Sequence, residues 1–213
     1  IGDEAHQFKS KSLVSIMTKL YDTKYRYGFT GTLDGTQTHK WVLEGLFGPS
    51  YKIVNTKELQ EKGYLAHLNI RVLLLKHDPI TFDTYQDEIE YLITHEKRNK
   101  FIRNLVWDLK GNTLILYSRV ATHGEVLYDI INKVERKIFF VHGGVDVEER
   151  ESVRRITEKE DNAIIIASFG TFSTGINIKN LHNVIFASPS KSRIRTLQSI
   201  GRVLRKSKDK LNA

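Results

Sequence analysis

Apolar residues recur along this chain with two different spacings, and from residue 113 onward the two spacings alternate. Apolar positions three and four residues apart predict helices over 11–21, 36–47, 83–94, 96–109, 121–133, 147–159 and 193–204. Runs of β-branched and aromatic residues predict strands over 25–29, 51–54, 68–76, 113–118, 137–141, 163–168 and 183–187. The run "AIIIAS" at 163–168 lacks polar alternation, which is typical of a strand buried on both faces of a parallel sheet. Strands alternating with helices in this way predict an α/β fold.

Two short stretches carry more local predictions. Asp146 and Glu149 resemble a capping box, which places the start of a helix just after "VHGG". In "TQTHKWVLEGLFG", we interpret Trp41 and its apolar neighbours as core rather than as a platform on which bases stack.

The chain is expected to divide into two parts, residues 1–66 and residues 67–213. The boundary falls just before the predicted strand "HLNIRVLLLK". The first part holds only about two predicted strands, too few for a sheet with both faces covered. The second part holds the regular alternation and is expected to be a complete sheet with its helices.

Composition narrows the class of partner. Hydrophobic residues make up 40% and charged residues 27% of the 213 residues, as in ordinary globular proteins. No apolar run approaches the roughly 18 residues of a membrane span, so we expect no membrane location. The sequence has no cysteine, which suits a reducing cytoplasm.

The charge of the chain favours a polyanionic partner. The formal net charge is +8, and nucleic acid fits it better than a membrane surface does. Between Lys191 and Lys210 there are eight basic residues and one acidic residue, Asp209. A solvated basic tail is the alternative interpretation of this run.

One predicted helix carries a polar face suited to phosphate. In "LQSIGRVLR", Gln198, Arg202 and Arg205 project within about 60° of one another around a helix. Guanidinium groups match phosphate oxygens in geometry and stay charged at physiological pH. A solvated amphipathic helix explains this stretch equally well when it is taken alone.

Three further stretches contain residues suited to chemistry. Asp3 and Glu4 are adjacent, so one carboxylate could hold a magnesium ion through water while the other polarises an attacking water. Thr30 and Thr32 flank a glycine, which suits a hinge, a phosphate loop or an ordinary turn. The stretch 168–180 follows the buried strand, where open α/β sheets bind ligands, although a plain connecting loop fits too.

Taken in order, these stretches resemble the motifs of superfamily 2 helicases and translocases, which are ATPases with two RecA-like lobes. The resemblance rests on "DEAH" (motif II), "TGT" (III), "LILYSR" (IV), "FVHGG" (a nucleic-acid contact), "TFSTGIN" (V) and "QSIGRVLR" (VI). The stretch 170–202 is most similar to the recombination helicases of T-even phages. The resemblance implies RecA-like parallel-sheet lobes. Residues 1–66 would be the C-terminal part of an incomplete first, ATP-binding lobe, and residues 67–213 a complete second lobe.

The resemblance also implies a role for each motif residue around ATP and Mg²⁺. Asp3 would ligate the metal, Glu4 would position the attacking water, and His6 and Gln198 would couple nucleotide state to lobe closure. The remaining nucleotide-site residues would be the arginine fingers, the relay threonines and the residues beside ATP: Arg202, Arg205, Thr30, Thr32, Gly175 and Asn177. The nucleic-acid backbone would be held by Arg119, His142, Gly143 and Thr171.

The chain departs from the family pattern in two places. Asn177 stands where many relatives carry Asp, which puts a ribose contact there in doubt. No G-x-x-x-x-G-K-[ST] phosphate loop occurs in the 213 residues. Since Ile1 lies next to motif II, we expect that loop upstream. We also expect that these residues alone hydrolyse no ATP.

The implied function is that of an ATP-dependent DNA helicase and branch-migration motor. Its substrates would be branched recombination DNA, stalled-fork DNA and RNA–DNA hybrids. It would act in the cytoplasm, which for a phage protein is the cytoplasm of the host cell. Two alternatives remain: a translocase subunit that moves on duplex DNA, and a non-catalytic nucleic-acid-binding module with a helicase-like fold. The acidic pair Asp3 and Glu4 and the arginines Arg202 and Arg205 favour an enzyme over the binding module.

Overall fold

The computed structural model describes residues 1–33, 35–175, 178–207 and 210. The helices are α1 (Lys11–Lys19), α2 (Gln37–Phe47), α3 (Thr56–Glu61), α4 (Tyr85–Thr94), α5 (Glu96–Asp108), α6 (Glu125–Ile131), α7 (Val147–Thr157), α8 (Phe169–Gly175) and α9 (Arg193–Val203). The strands are β1 (Thr113–Tyr117), β2 (Ile138–Val141), β3 (Ile164–Ser168) and β4 (Asn183–Phe186). A short 3₁₀ turn covers Ala5–Gln7, and a π-helical turn covers Val120–Gly124. None of the described helices has the length and apolar character needed to cross a membrane.

The four strands form one parallel sheet in the order β2-β3-β1-β4. Strand β1 lies in the middle, with Leu114 opposite Ile165 of β3 and Val184 of β4. Parallel neighbours require crossover connections, and the helices between the strands supply them. The α/β fold with a RecA-like parallel sheet that the sequence predicted is therefore confirmed.

Both faces of the sheet are covered by helices. On one face, Leu114 and Leu116 pack with Val153 of α7, Phe172 of α8 and Val203 of α9. On the other face, Ile115 and Tyr117 of β1 pack against residues of α5 and α6. These helix residues are Ile102 and Val106 of α5 and Leu127 and Ile131 of α6. In β3, Ile164, Ile165 and Ile166 are all fully buried. The predicted burial of this strand on both faces is confirmed.

The strands predicted over 25–29, 51–54 and 68–76 are wrong. These stretches are all described, and the pairing they show is one isolated bridge between Gly28 and Gly2. Their apolar side chains stay largely in solvent, with Ile53 88% and Leu74 85% exposed. A β-favouring sequence becomes a strand only where a neighbouring strand supplies hydrogen bonds and a packing surface.

Helix ends also differ from expectation. Asp146 does begin α7, but its side chain makes no capping bond, so the predicted capping box is wrong. The observed capping box joins Thr84 and Asp87 at the start of α4. Part of the stretch 168–180, for which a connecting loop was one interpretation, forms α8. In α2, Leu43 and Leu46 are buried as predicted, whereas Trp41 is 63% exposed and is not part of the core.

The predicted division near residue 66 falls in a segment that touches α9. The amide N–H of Ala66 donates to Leu204 O at 2.9 Å, and Leu65 and Arg205 form an isolated antiparallel bridge. Gln60 Nε2 donates to Ala66 O at 2.9 Å. The division into residues 1–66 and 67–213 stays a prediction.

Asn112 joins the loops at the amino end of the sheet. Its buried Nδ2 lies within hydrogen-bond distance of Thr157 O (3.0 Å), Glu160 O (2.5 Å) and Asn180 O (2.7 Å), and its two N–H groups are shared among these three carbonyls. Its Oδ1 accepts from Ala163 N at 2.8 Å, just before β3. One side chain thus satisfies backbone groups from three segments.

We expect Asn112→Ala to destabilise the fold by about 3 kcal/mol, because buried carbonyls and an amide lose their partner. Urea unfolding followed by circular dichroism measures this free energy. The matched control is Asn132→Ala at the exposed C-cap of α6, with an expected change within about 0.5 kcal/mol. Equal effects of the two substitutions would contradict the assigned role.

Candidate active site and nucleic-acid contacts

The parallel sheet brings four connecting segments to one edge. The segments that leave the carboxyl ends of the strands begin at Ser118, His142, Phe169 and Ala187. Open α/β sheets bind ligands outside this edge. All four segments carry residues named from the sequence, so the fold brings these residues to one edge of the sheet.

The "DEAH" stretch is held against residues 27–29. Gly2 N donates to Tyr27 O at 2.7 Å, Phe29 N donates to Gly2 O at 2.8 Å, and Ala5 N donates to Phe29 O at 2.8 Å. Gly28 permits this approach, because a Cβ there would lie 3.0 Å from the Cβ of Ala5. The turn containing Asp3 and Glu4 is therefore fixed beside the loop that carries Thr30 and Thr32.

Glu4 has a left-handed backbone, with φ 48° and ψ 47°. Among the described residues, Glu4 is the only non-glycine residue with a positive φ. Such a conformation costs about 1 kcal/mol or more and persists where the surroundings impose it. The turn separates the two carboxylates: Asp3 Oδ1 accepts from Glu4 N at 2.9 Å, whereas Glu4 Oε2 lies 3.2 Å from His6 Nδ1.

His6 links this turn to the following loop. Its buried Nδ1 lies 3.0 Å from Thr30 Oγ1, and Thr30 Oγ1 donates to Thr32 O at 2.9 Å. Since the Thr30 proton is used there, Nδ1 must carry the hydrogen that joins His6 to Thr30. Burial lowers the pKa of His6, although Glu4 acts in the opposite direction. His6 is therefore neutral at physiological pH and connects Glu4 with Thr30 and Thr32.

Helix α9 presents its polar face to the same turn. Gln198 Nε2 donates to Glu4 Oε2 at 3.5 Å, the long limit for a hydrogen bond. Ser192 caps the start of the helix by accepting from Arg195 N at 3.3 Å. The contact joins residues separated by 194 positions in the chain. The prediction placed Gln198 across from His6; in the structure Gln198 reaches Glu4, which in turn contacts His6.

The two predicted arginine fingers lie at the end of α9. Burial lowers the pKa of Arg202, and the positive charge of Arg205 lowers it further. The negative charge of Glu4 acts in the opposite direction and raises this pKa. An arginine nevertheless keeps its charge at any physiological pH. The Arg202 guanidinium carbon lies 5.4 Å from the ring centroid of Phe172 on α8, which is a cation–π contact.

A magnesium ion would find the exposed carboxylate of Asp3 here. Mg²⁺ is usually bound by one or two protein carboxylates, with waters and substrate phosphates completing the shell. In the part of the chain that the structure describes, no three His, Cys, Asp or Glu side chains converge to form a cage. These residues fit a metal that arrives with a nucleotide.

Of the two residues predicted to lie beside ATP, only one is among the described residues. Gly175 is the last residue of α8. Asn177 lies outside the described residues. Helix α8 contributes the buried side chains of Phe169 and Phe172 to the core.

The predicted nucleic-acid contacts lie after β1, β2 and β3. Arg119 follows β1 and pairs with Glu90 and Gln86 of α4. His142 follows β2, and its Nδ1 accepts from Gly144 N at 3.1 Å, so that amide already has a partner. Gly143, between them, is exposed, and no heavy atom outside residues 142–144 lies within 4 Å of the position that a Cβ would take there.

Thr171 is less accessible than predicted for a backbone contact. Its side chain is buried, and its Oγ1 lies 2.8 Å from Ser168 Oγ. The hydroxyl pair ties the start of α8 to the end of β3. The structure therefore places Thr171 near the edge without exposing its side chain.

A buried polar link that the sequence motifs do not include lies at the carboxyl ends of β1 and β4. His123 Nδ1 lies 2.8 Å from Ser188 Oγ, which accepts from Ser118 N at 3.0 Å. Burial lowers the pKa of His123 to about 4, so the ring is neutral and the link is uncharged at physiological pH. The link fixes the ends of β1 and β4 together, and no local signal in the sequence pairs these residues.

Comparison with known proteins gives the same picture as the motifs. Residues 96–207 match the family described as the helicase conserved C-terminal domain. Over 214 residues the chain is 37% identical to the ATP-dependent DNA helicase uvsW of Enterobacteria phage T4, covering 97% of this chain and 42% of that protein. The chain thus spans about two fifths of the length of this relative. The predicted resemblance to superfamily 2 helicases of T-even phages is confirmed.

Solved structures agree on the fold. The crystal structure of T4 UvsW matches with a TM-score of 0.53 and 32% identity, over 99% of this chain and 42% of that one. S. cerevisiae Dbp5 in complex with Gle1 matches with a TM-score of 0.55 at 12% identity, over 99% of this chain and 49% of that one. The Dbp5 match shows a shared fold and nothing more.

Proposed function

Since the chain belongs to the family of helicase conserved C-terminal domains, we propose that it is part of an ATP-driven DNA helicase and branch-migration motor. Within it, residues 1–66 form the C-terminal part of the ATP-binding lobe and residues 67–213 form the second lobe. The phosphate loop that such a motor needs is not among these 213 residues. We refer to a protein that joins this chain to a phosphate loop as the motor protein.

The observation that carries this proposal is the meeting of the Glu4 turn with α9. Gln198 reaches Glu4 at 3.5 Å, and Glu4 also acts on the charge of Arg202. The carboxylate proposed to position water thus lies on a turn that contacts the helix carrying Arg202, an arginine proposed to stabilise phosphate charge. Phosphoryl transfer is catalysed mainly by positioning and by charge stabilisation of this kind.

Each residue around the nucleotide has a proposed role. Glu4 positions and polarises the attacking water, while Asp3 holds Mg²⁺, which would neutralise phosphate charge. Arg202 and Arg205 stabilise the charge that develops on the γ-phosphate. The relay and nucleotide-contact residues are His6, Gln198, Thr30, Thr32, Gly175 and Asn177.

DNA is proposed to lie along the carboxyl edge of the sheet, with its phosphates on Arg119, His142, Gly143 and the segment containing Thr171. A motor must move along any sequence, so these contacts should carry little base information. The net charge of +8 and the exposure of Gly143 support such a track.

We expect Arg119→Ala to weaken DNA binding about equally for all sequences and to lower the salt slope by about one. The physical reason is the loss of one phosphate contact together with its counterion release. Fluorescence anisotropy with labelled DNA over a salt series measures both quantities.

A matched control is Arg103→Ala on α5, whose guanidinium stacks 4.7 Å from the Trp107 ring. The salt slope of this variant should not change. A loss confined to some base sequences, or an unchanged slope for Arg119→Ala, would contradict the proposed track.

The substrates proposed for the motor protein are branched recombination DNA, stalled-fork DNA and RNA–DNA hybrids. The similarity to a phage DNA helicase supports DNA as the partner. Strand displacement on forked DNA, measured beside triplex displacement on duplex DNA, tests this proposal. Displacement of duplex strands supports the helicase, whereas triplex displacement alone would favour a duplex translocase.

A further inference from the structure

Helix α4 holds the guanidinium of Arg119. Arg119 Nη1 forms an ion pair with Glu90 Oε2, and Arg119 Nη2 donates to Gln86 Oε1 at 3.3 Å. Gln86 and Glu90 are four residues apart, so they lie on one face of the helix, one turn from each other. The carboxylate and the amide oxygen thus fix both ends of the guanidinium fork.

The same helix touches a second basic residue near this edge. Lys191 Nζ lies 3.5 Å from the centroid of the Tyr85 ring, in the first turn of α4. Lys191 is the first residue of the basic run that extends to Lys210, and it lies two residues before α9. The capping box of Thr84 and Asp87 fixes the start of α4 where these contacts are made. One helix therefore contacts two of the cationic groups available to DNA phosphates.

The ion pair remains accessible to a competitor. The Arg119 side chain is 37% exposed and the Glu90 side chain 47% exposed. Ion pairs with this degree of exposure are weak, so removing one changes an equilibrium by at most about fivefold. A DNA phosphate presents two oxygens to the same guanidinium, and the neighbouring phosphates of the strand add to its negative charge. DNA can therefore compete with Glu90 for Arg119.

We propose that Glu90 is a positioning residue for DNA binding: it holds the Arg119 guanidinium beside α4 and yields it to a DNA phosphate. Gln86 keeps its contact and orients the fork during this exchange. The carboxylate therefore sets how tightly Arg119 grips DNA and how steeply that grip depends on salt. The inference rests on the proposed function, because it requires Arg119 to be a phosphate contact.

The test compares Glu90→Gln with the unchanged chain, using a fluorescein-labelled 30-nucleotide DNA of mixed sequence. Glutamine keeps the size and hydrogen-bonding capacity of the side chain and removes the charge. We expect binding to become about two- to fivefold tighter at low salt, a gain that shrinks as salt rises. The slope of log K against log salt should steepen by up to about one.

The matched control is Glu88→Gln, an exposed glutamate of the same helix. It makes the same change in net charge, so any general attraction of DNA to a more basic chain appears equally in both variants. Thermal unfolding of each variant confirms that it is folded before binding is measured. The double variant Glu90→Gln/Arg119→Ala should bind DNA no more tightly than a matched Glu88→Gln/Arg119→Ala variant, because the gain from Glu90→Gln requires Arg119.

Each outcome separates the inference from the function on which it rests. The inference is supported by tighter binding of Glu90→Gln than of Glu88→Gln, together with equal binding of these two variants when each also carries Arg119→Ala. Equal binding by the two glutamine variants overturns it, and weaker binding by Glu90→Gln overturns it too, because Glu90 would then only brace Arg119. If Arg119→Ala alone leaves DNA binding unchanged, the proposed DNA track itself fails.

Discussion

Replacing Arg205 by alanine in the motor protein is expected to lower ATP turnover about 10³-fold while leaving ATP affinity nearly unchanged. Arg205 follows α9, next to Arg202, on the side of the molecule where Gln198 meets Glu4. An arginine that acts on charge developing in the transition state contributes to kcat and little to ground-state binding. The alanine variant keeps the Arg205 backbone carbonyl that accepts from Lys210 Nζ at 3.1 Å.

Steady-state turnover and equilibrium binding of a fluorescent ATP analogue measure the two effects separately. The matched control is Lys206→Ala, which removes the adjacent exposed cation, and its turnover should stay near that of the unchanged protein. Equal losses of turnover and affinity in Arg205→Ala would mean that Arg205 contacts ATP in the ground state. That outcome would contradict its assignment as an arginine finger.

Glu4→Gln is expected to lower turnover by about 10²- to 10⁴-fold with ATP binding retained. Glutamine fills the same space and can still hydrogen-bond to His6 and Gln198, but it cannot polarise the attacking water as a carboxylate does. Turnover under saturating ATP, with binding measured in parallel, separates the two effects. Glu61→Gln, at the exposed end of α3, is the matched control and should leave turnover unchanged. Substantial turnover by Glu4→Gln would show that this carboxylate only supports the turn.

The sheet and its helices could be predicted because their signals are local. In β3 every residue from Ile164 to Ala167 is buried, and the uninterrupted apolar run of the sequence predicts this burial. The polar face of α9 follows from helical spacing alone, since Gln198 and Arg202 are one turn apart. These signals need no knowledge of which elements become neighbours.

The outcome for residues 68–76 required such knowledge. Their apolar, β-branched composition fits a strand, yet Ile70 and Val72 are 71% and 78% exposed and join no ladder. Strand formation depends on a neighbouring strand, and the sequence of the segment itself does not show whether such a strand is present. The converse holds for α8, where glycines and hydroxyl residues favour a loop. There Phe169 and Phe172 are spaced to bury on one helical face, and packing decides the conformation.

The candidate site was predictable in its residues but not in its contacts. The motifs identified Glu4, Gln198 and Arg119, while the hydrogen bond between the first two depends on the meeting of distant segments. The pairing of Arg119 with Glu90 joins positions 29 residues apart, and nothing in the sequence of α4 distinguishes Glu90 from Glu88. Tertiary placement alone makes one of these glutamates a partner of the arginine.

The most direct test of this chain as part of a DNA motor is ATP turnover by the motor protein, measured with and without forked DNA. The segment with the water-positioning carboxylate contacts α9, which carries Arg202 and is followed by Arg205. The proposed DNA track lies on the sheet against which α9 packs. DNA that orders this sheet should therefore raise turnover. We expect strong stimulation by DNA, declining with salt as DNA binding does. Turnover that is the same with and without DNA, under conditions where DNA is bound, would contradict the account of this chain as part of a DNA motor.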